Sequence, residues 1–108
     1  MSSFSVEWLQ LREPVDTAAR NPELTDRLLD WRQQQGLLSV LDLASGTGAN
    51  SRFLAPLLGG VQHWWLVDHD PELLAQGKEA AMQPWSHTRD HCHQEWLQLD
   101  LVHDWNQL

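Results

Sequence analysis

The stretch from Ser39 to Asn50, SVLDLASGTGAN, limits what this chain can fold into more than any other. A short apolar run ends in small residues and two glycines, and an amphipathic segment begins at once. That order predicts a strand, a tight turn and a helix in immediate succession. A strand of about 5–6 residues fits the run. Gly46 and Gly48 have no Cβ, so they can take positive φ and let the backbone pass close to a ligand. The free N–H groups at the start of the next helix then point at whatever lies there. Crevices of this kind form at the carboxyl ends of parallel strands, so the turn is a candidate site for a nucleotide-like cofactor. The plain alternative is a helix-entry loop that holds no ligand.

The flanking sequence gives that turn a sheet to belong to. Phe4, Trp8, Leu9 and Leu11 fall close to helical spacing, and Pro14 is expected to break that helix before a second short segment, Val15–Arg20. Asn21, Pro22 and Glu23 combine an N-cap, a first-turn proline and a first-turn acid. The helix they open turns Leu24, Leu28 and Trp31 toward the sheet, and Gly36 is the expected stop. Past the turn, Phe53, Leu54, Leu57 and Leu58 form an apolar stripe, with Pro56 limiting or kinking the helix and Gly59–Gly60 ending it. His63–Val67 is a bulky run suited to a buried parallel strand, closing at Asp68. Asp70, Pro71 and Glu72 repeat the helix-start signature, and Gly77 costs that helix up to ~1 kcal/mol relative to alanine. Gln83–His93 is polar and His-rich and reads as loop or ragged helix, after which Glu95–Asp100 alternates as a third strand.

Strands separated by helices imply right-handed βαβ units. The expected fold is α/β, with an N-terminal helical segment over residues 1–36 and a βαβαβ unit over 37–108. Its parallel strands should lie in the order 3-2-1, with helices on both faces of a three-layer, Rossmann-like sandwich.

Each strand closes on or near an acid, namely Asp42, Asp68 and Asp100. A carboxylate ending the second strand, about twenty residues past a glycine turn, is placed to accept both hydroxyls of a ribose. Asp68 is therefore the most informative side chain, against the plain reading of a loop acid. Asp70, just before Pro71, is better explained as a helix cap.

At these residues the chain resembles the class I S-adenosylmethionine-dependent methyltransferases, whose first motif, D-x-G-x-G-x-G, stands here as Asp42, Ala44, Gly46 and Gly48. Ala44 replaces the first glycine, and its methyl is tolerable if it faces away from the cofactor. The resemblance implies S-adenosyl-L-methionine as cofactor, S-adenosylhomocysteine as product, and contacts along Asp42, Ala44, Ser45, Gly46, Thr47 and Gly48. It further implies that Asp68 holds the ribose, that His69 lies near the adenine, and that Asp100 accepts from the adenine amino group beside the Leu101 backbone. Asp42 would orient the turn or reach the methionine part through water. The stretch from Trp8 to Arg20 looks like the leader of a subset of bacterial methyltransferases, which would pair Arg20 with the cofactor carboxylate; a surface arginine is the plain alternative.

The resemblance covers the first three strands of a seven-stranded family. The chain is accordingly expected to be a truncated cofactor-binding half, unable to turn over alone, with its methyl acceptor undefined. The strand edge at Val40–Leu43 would be open to pairing with a second copy. Two other functions stay open. A nicotinamide-dependent oxidoreductase also uses a glycine turn and an acid after strand two, although its third glycine would fall at Ser51. A non-catalytic partner-binding module of the same fold would use the tryptophans as interface anchors.

Composition narrows the partners. A formal net charge of −8 argues against nucleic acid, whose binding rests on Lys and Arg neutralising phosphates. No apolar run approaches the ~20 residues needed to span a bilayer, and a lone cysteine, Cys92, suits a reducing cytoplasm. Seven tryptophans and no tyrosine are expected to fill a small core with large rings. His87, His91, Cys92 and His93 are candidate zinc ligands by type, with His87 and His91 one helical turn apart. They lack a fourth spaced ligand or an H-E-x-x-H pattern, so no metal is assigned. Nothing flanking Cys92 marks it as a nucleophile.

Overall fold

A computed structural model describes residues 5–83 and 92–107 of the protein. The Ser5 hydroxyl accepts the Trp8 N–H at 3.1 Å and opens α1, Val6–Ala18. Contrary to expectation, α1 continues through Pro14 and takes in the expected second segment as far as Ala18. Proline removes one donor, to the Gln10 carbonyl, and Gln10 is exposed, so water can take that carbonyl.

Helix α2, Pro22–Arg32, begins as the sequence predicts, with Asn21 Oδ1 accepting the Glu23 and Leu24 N–H groups. It ends short of Gly36. The buried Arg32 side chain donates to the Gln35 and Gly36 carbonyls, then to Gly59 and Val61 across the chain, so that a side chain rather than a glycine finishes the helix. Nor does α2 turn Leu24 and Trp31 onto the sheet. Both are exposed, and the helix packs against α3.

Strands β1 (Leu38–Leu43), β2 (Gln62–Asp68) and β3 (Cys92–Gln98) form one parallel sheet in the order β1-β2-β3, the predicted adjacency. The third strand begins at Cys92, inside the stretch expected to be loop, and ends at Gln98, before Asp100. Helix α3, Ala49–Leu58, continues through Pro56 to Gly59, and α4, Pro71–Ala81, is capped by Asp70.

Both crossovers step the same way across the sheet, and right-handed connections that do so deliver their helices to one face. Ala55, Leu54 and Leu58 of α3 pack on Trp64, Leu66, Cys92 and Trp96. Gly77 of α4 brings its backbone against Trp96. The expectation of helices on both faces is therefore corrected, because the described helices leave Leu41, Leu43 and Leu97 exposed on the other. The tryptophans divide likewise. Trp64 is 1% exposed and Trp96 joins the core, whereas Trp8, Trp31 and Trp105 lie on peripheral elements and are open to solvent. Trp85 lies outside the described residues. No helix among the described residues is long and apolar enough to cross a membrane.

Candidate functional site

The glycine turn follows β1 directly, and its backbone is left-handed at three positions: Ala44 at φ 56°, Gly46 at 59° and Gly48 at 87°. At Gly48 the positive φ coincides with a close approach, since a Cβ there would stand 2.7 Å from the Trp96 ring. Ala44 takes the same kind of φ with a side chain, a conformation that costs about 1–2 kcal/mol outside glycine. The sequence shows the replacement of the motif's first glycine. It does not show that the backbone there keeps a glycine conformation.

Asp68 meets the turn as the sequence predicts, through a bond that the sequence does not reveal. Its buried carboxylate accepts the Gly46 N–H through Oδ2 at 2.9 Å and the Asp70 N–H through Oδ1 at 3.0 Å. The Ser45 N–H donates to the Val67 carbonyl at 2.8 Å, and the Leu99 N–H to the Asp68 carbonyl at 3.0 Å. Turn, Asp68 and the chain beyond β3 are thereby knitted together at the carboxyl end of the sheet. Each Asp68 oxygen keeps a lone pair for a further donor.

A second chain of contacts runs from the turn after α1 into β1. Arg20 donates to Asn50 Oδ1 at 2.6 Å and stacks 4.4 Å above the Phe53 ring. Asn50 donates in turn to Asp42 Oδ1 at 3.4 Å. Burial pushes the Asp42 carboxyl above the ordinary value of 3.8, opposed by the Asn50 hydrogen bond and by the nearby Arg20 charge. Arg20 is therefore no free surface arginine.

Among the described residues, three buried side-chain polar atoms have no hydrogen-bond partner: Arg20 Nε, Asp42 Oδ2 and Ser45 Oγ. All three belong to residues that the sequence assigned to the site. An unpaired buried polar group costs about 1–3 kcal/mol, so each of these atoms calls for a partner that the described residues do not supply.

Other predicted residues lie at the site with different roles. Thr47 is buried and faces inward, accepting Arg52 through both its carbonyl and its hydroxyl, while Arg52 grips Glu13 of α1 with two bonds of 2.9 and 2.7 Å. His69 is half-exposed, its Nδ1 3.5 Å from Asp68 Oδ1. Asp100 caps its own turn, with Oδ1 accepting the Val102 N–H at 2.8 Å, a bond that holds its carboxyl below 3.8. Leu101 sits in that turn, half-buried.

Of the candidate cluster, His87 and His91 lie outside the described residues. Cys92 and His93, adjacent on β3, point to opposite faces, Cys92 into the core and His93 to solvent. Burial pushes the Cys92 thiol up to about 11, so it stays protonated and unreactive near neutrality.

Sequence reasoning counted Gly77 as a cost to its helix and missed its purpose. A Cβ there would stand 2.5 Å from the Thr47 carbonyl and 2.6 Å from Trp96, so only glycine lets α4 close on the turn. The available signal was a glycine inside a helix that starts one strand after a glycine turn. Comparison with protein-family models, with curated proteins and with solved structures finds no match to this chain.

Proposed function

We propose that the carboxyl end of the sheet binds S-adenosyl-L-methionine, and that the chain is the cofactor-binding portion of a class I methyltransferase. The observation that carries this is the set of unpartnered buried atoms. A cation, a carboxylate and a hydroxyl beside a glycine turn are the complement of a zwitterionic amino-acid end. Asp42 Oδ2 would take the ammonium group and Arg20 the carboxylate, while Asp68 would add a ribose hydroxyl to the backbone donors it already accepts. Such a compound supplies a sulfonium methyl group, open to in-line attack by an acceptor. The residues themselves bind, orient and neutralise charge.

A nicotinamide dinucleotide has no amino-acid zwitterion and leaves Asp42 and Arg20 without a role. Titration calorimetry with S-adenosylhomocysteine and with NADH separates the two. S-adenosylhomocysteine should bind, and Asp42→Asn or Arg20→Gln should each weaken it by about tenfold or more, the worth of a charge-assisted hydrogen bond. Tighter binding of NADH rejects the proposal. If neither compound binds, the partner-binding reading gains, which the exposed Leu41, Leu43 and Leu97 side chains favour. In either case β1 lies at the sheet edge, where a second copy could pair with Val40–Leu43.

A further inference from the structure

We infer that His63, His93 and Glu95 form a binding site for a zinc-class divalent ion, on the sheet face opposite α3 and α4. Parallel pairing sets His63 of β2 beside His93 of β3, and Trp65 beside Glu95. Odd-numbered residues of both strands share a face, so the two imidazoles and the carboxylate converge there. One donor atom from each lies within 4.8 Å of the others, and His63 Nε2 and Glu95 Oε2 are already 2.7 Å apart.

Zinc bonds of about 2.0–2.2 Å in tetrahedral geometry set neighbouring donors roughly 3.4 Å apart. The His63–Glu95 pair has to open slightly and the exposed His93 has to swing in. Side-chain rotation achieves both without moving a strand. The His63 ring is held in place by Trp65, stacked at 3.8 Å with an interplanar angle of 15°. Its contact with His93 is edge-on at 4.7 Å, which keeps the two rings from blocking each other's nitrogens by stacking. Two imidazoles and one carboxylate suit zinc and its borderline neighbours rather than calcium or magnesium, which require oxygen ligands. The Glu95 side chain is 44% exposed and that of His63 27%, so water reaches the remaining coordination position. A net charge of −8 raises the local concentration of cations.

The site is independent of the cofactor proposal. His63 is the second residue of β2, whereas Asp68 is its last. A bound ion would clip β2 to β3 at the end of the sheet away from the glycine turn.

Calorimetry of the 108-residue chain with zinc chloride tests this, together with Co²⁺, whose visible d–d bands report an asymmetric low-coordinate site. One ion per chain is expected. His93→Ala and Glu95→Gln should each weaken zinc by at least about tenfold and abolish the cobalt bands, while His103→Ala changes neither. Far-UV circular dichroism checks folding, and the near-isosteric Glu95→Gln decides the matter if His93→Ala misfolds. A wild-type chain that takes up no zinc overturns the proposal. So does unchanged affinity in Glu95→Gln, the result expected if His87 and His91 held the ion instead.

Discussion

The two faces of the three-stranded sheet are built from alternate residues of the same strands, and they have opposite fates. Under α3 and α4, Trp64 is 1% exposed and Leu66 fully buried, and both pack on Ala55 and Trp96. On the other face Leu41 keeps 51% of its surface and Leu43 42%, and only toward the glycine turn, at Val67, is that side fully buried. There His63 bonds to Glu95 across the two strands. The difference comes from topology, because two crossovers in one direction supply two helices to one side. It teaches that stability and the shape of the glycine turn are made on the covered face, while the described helices leave most of the other face to its own side chains. Trp64→Ala should cost about 3–5 kcal/mol in urea unfolding. Leu41→Ala should cost about 1 kcal/mol, since about half of that residue stays in water on folding. Comparable losses at the two positions would mean that the second face is also covered in solution, for instance by another copy of the chain.

The comparison sharpens at the glycines. Gly77→Ala adds a methyl group between the Thr47 carbonyl and the Trp96 ring, both on the covered side. Overpacking of this kind costs about 1–3 kcal/mol. Because the displaced carbonyl belongs to the turn, S-adenosylhomocysteine affinity should fall with it. Gly36→Ala meets nothing within 4 Å and needs no left-handed backbone, so thermal unfolding should shift little or rise slightly. Equal melting temperatures for the two variants would show that α4 can draw back from the turn at no cost.

How much of this was legible in the sequence follows from how local each signal is. Asn21 and Asp70 were read correctly as caps because a cap is decided within three residues, and each does accept two backbone N–H groups. The strand–turn–helix succession and the strand order were legible for a similar reason, each resting on connections between successive elements. Pro14 misled, because its penalty of about 3 kcal/mol is local, while the Glu13–Arg52 pair that helps anchor α1 spans 39 positions. Tertiary anchoring outweighed propensity. The pairing of His63 with Glu95 was hidden by register, since two residues 32 apart become neighbours only once β3 is known to start at Cys92. The convergence of Arg20, Asn50 and Asp42 was half-visible, as a resemblance could nominate Arg20 and Asp42 but not the amide that links them.

Asp42 offers the smallest effect and the finest test, because it lies on the covered face yet is incompletely satisfied. Burial raises its carboxyl above 3.8, so the folded chain binds that proton more readily than the unfolded chain does. The sign follows directly. The ionised group destabilises the fold at every pH above its raised value, and the penalty fades as pH falls through that value toward 3.8. Asp42→Asn removes the charge and can still accept the Asn50 amide. The variant should therefore be the more stable near neutrality, by about 1 kcal/mol or less, with the gap to wild type closing in acid. Asp100, held below 3.8 chiefly by the Val102 N–H, contributes in the opposite direction, and it cancels because both chains carry it. The same substitution should weaken S-adenosylhomocysteine, so a gain in stability and a loss of affinity from one atom would mark Asp42 as kept for a ligand. A variant that is less stable at neutral pH would mean instead that the Arg20 charge already satisfies the carboxylate and that the covered face has no polar group held in reserve.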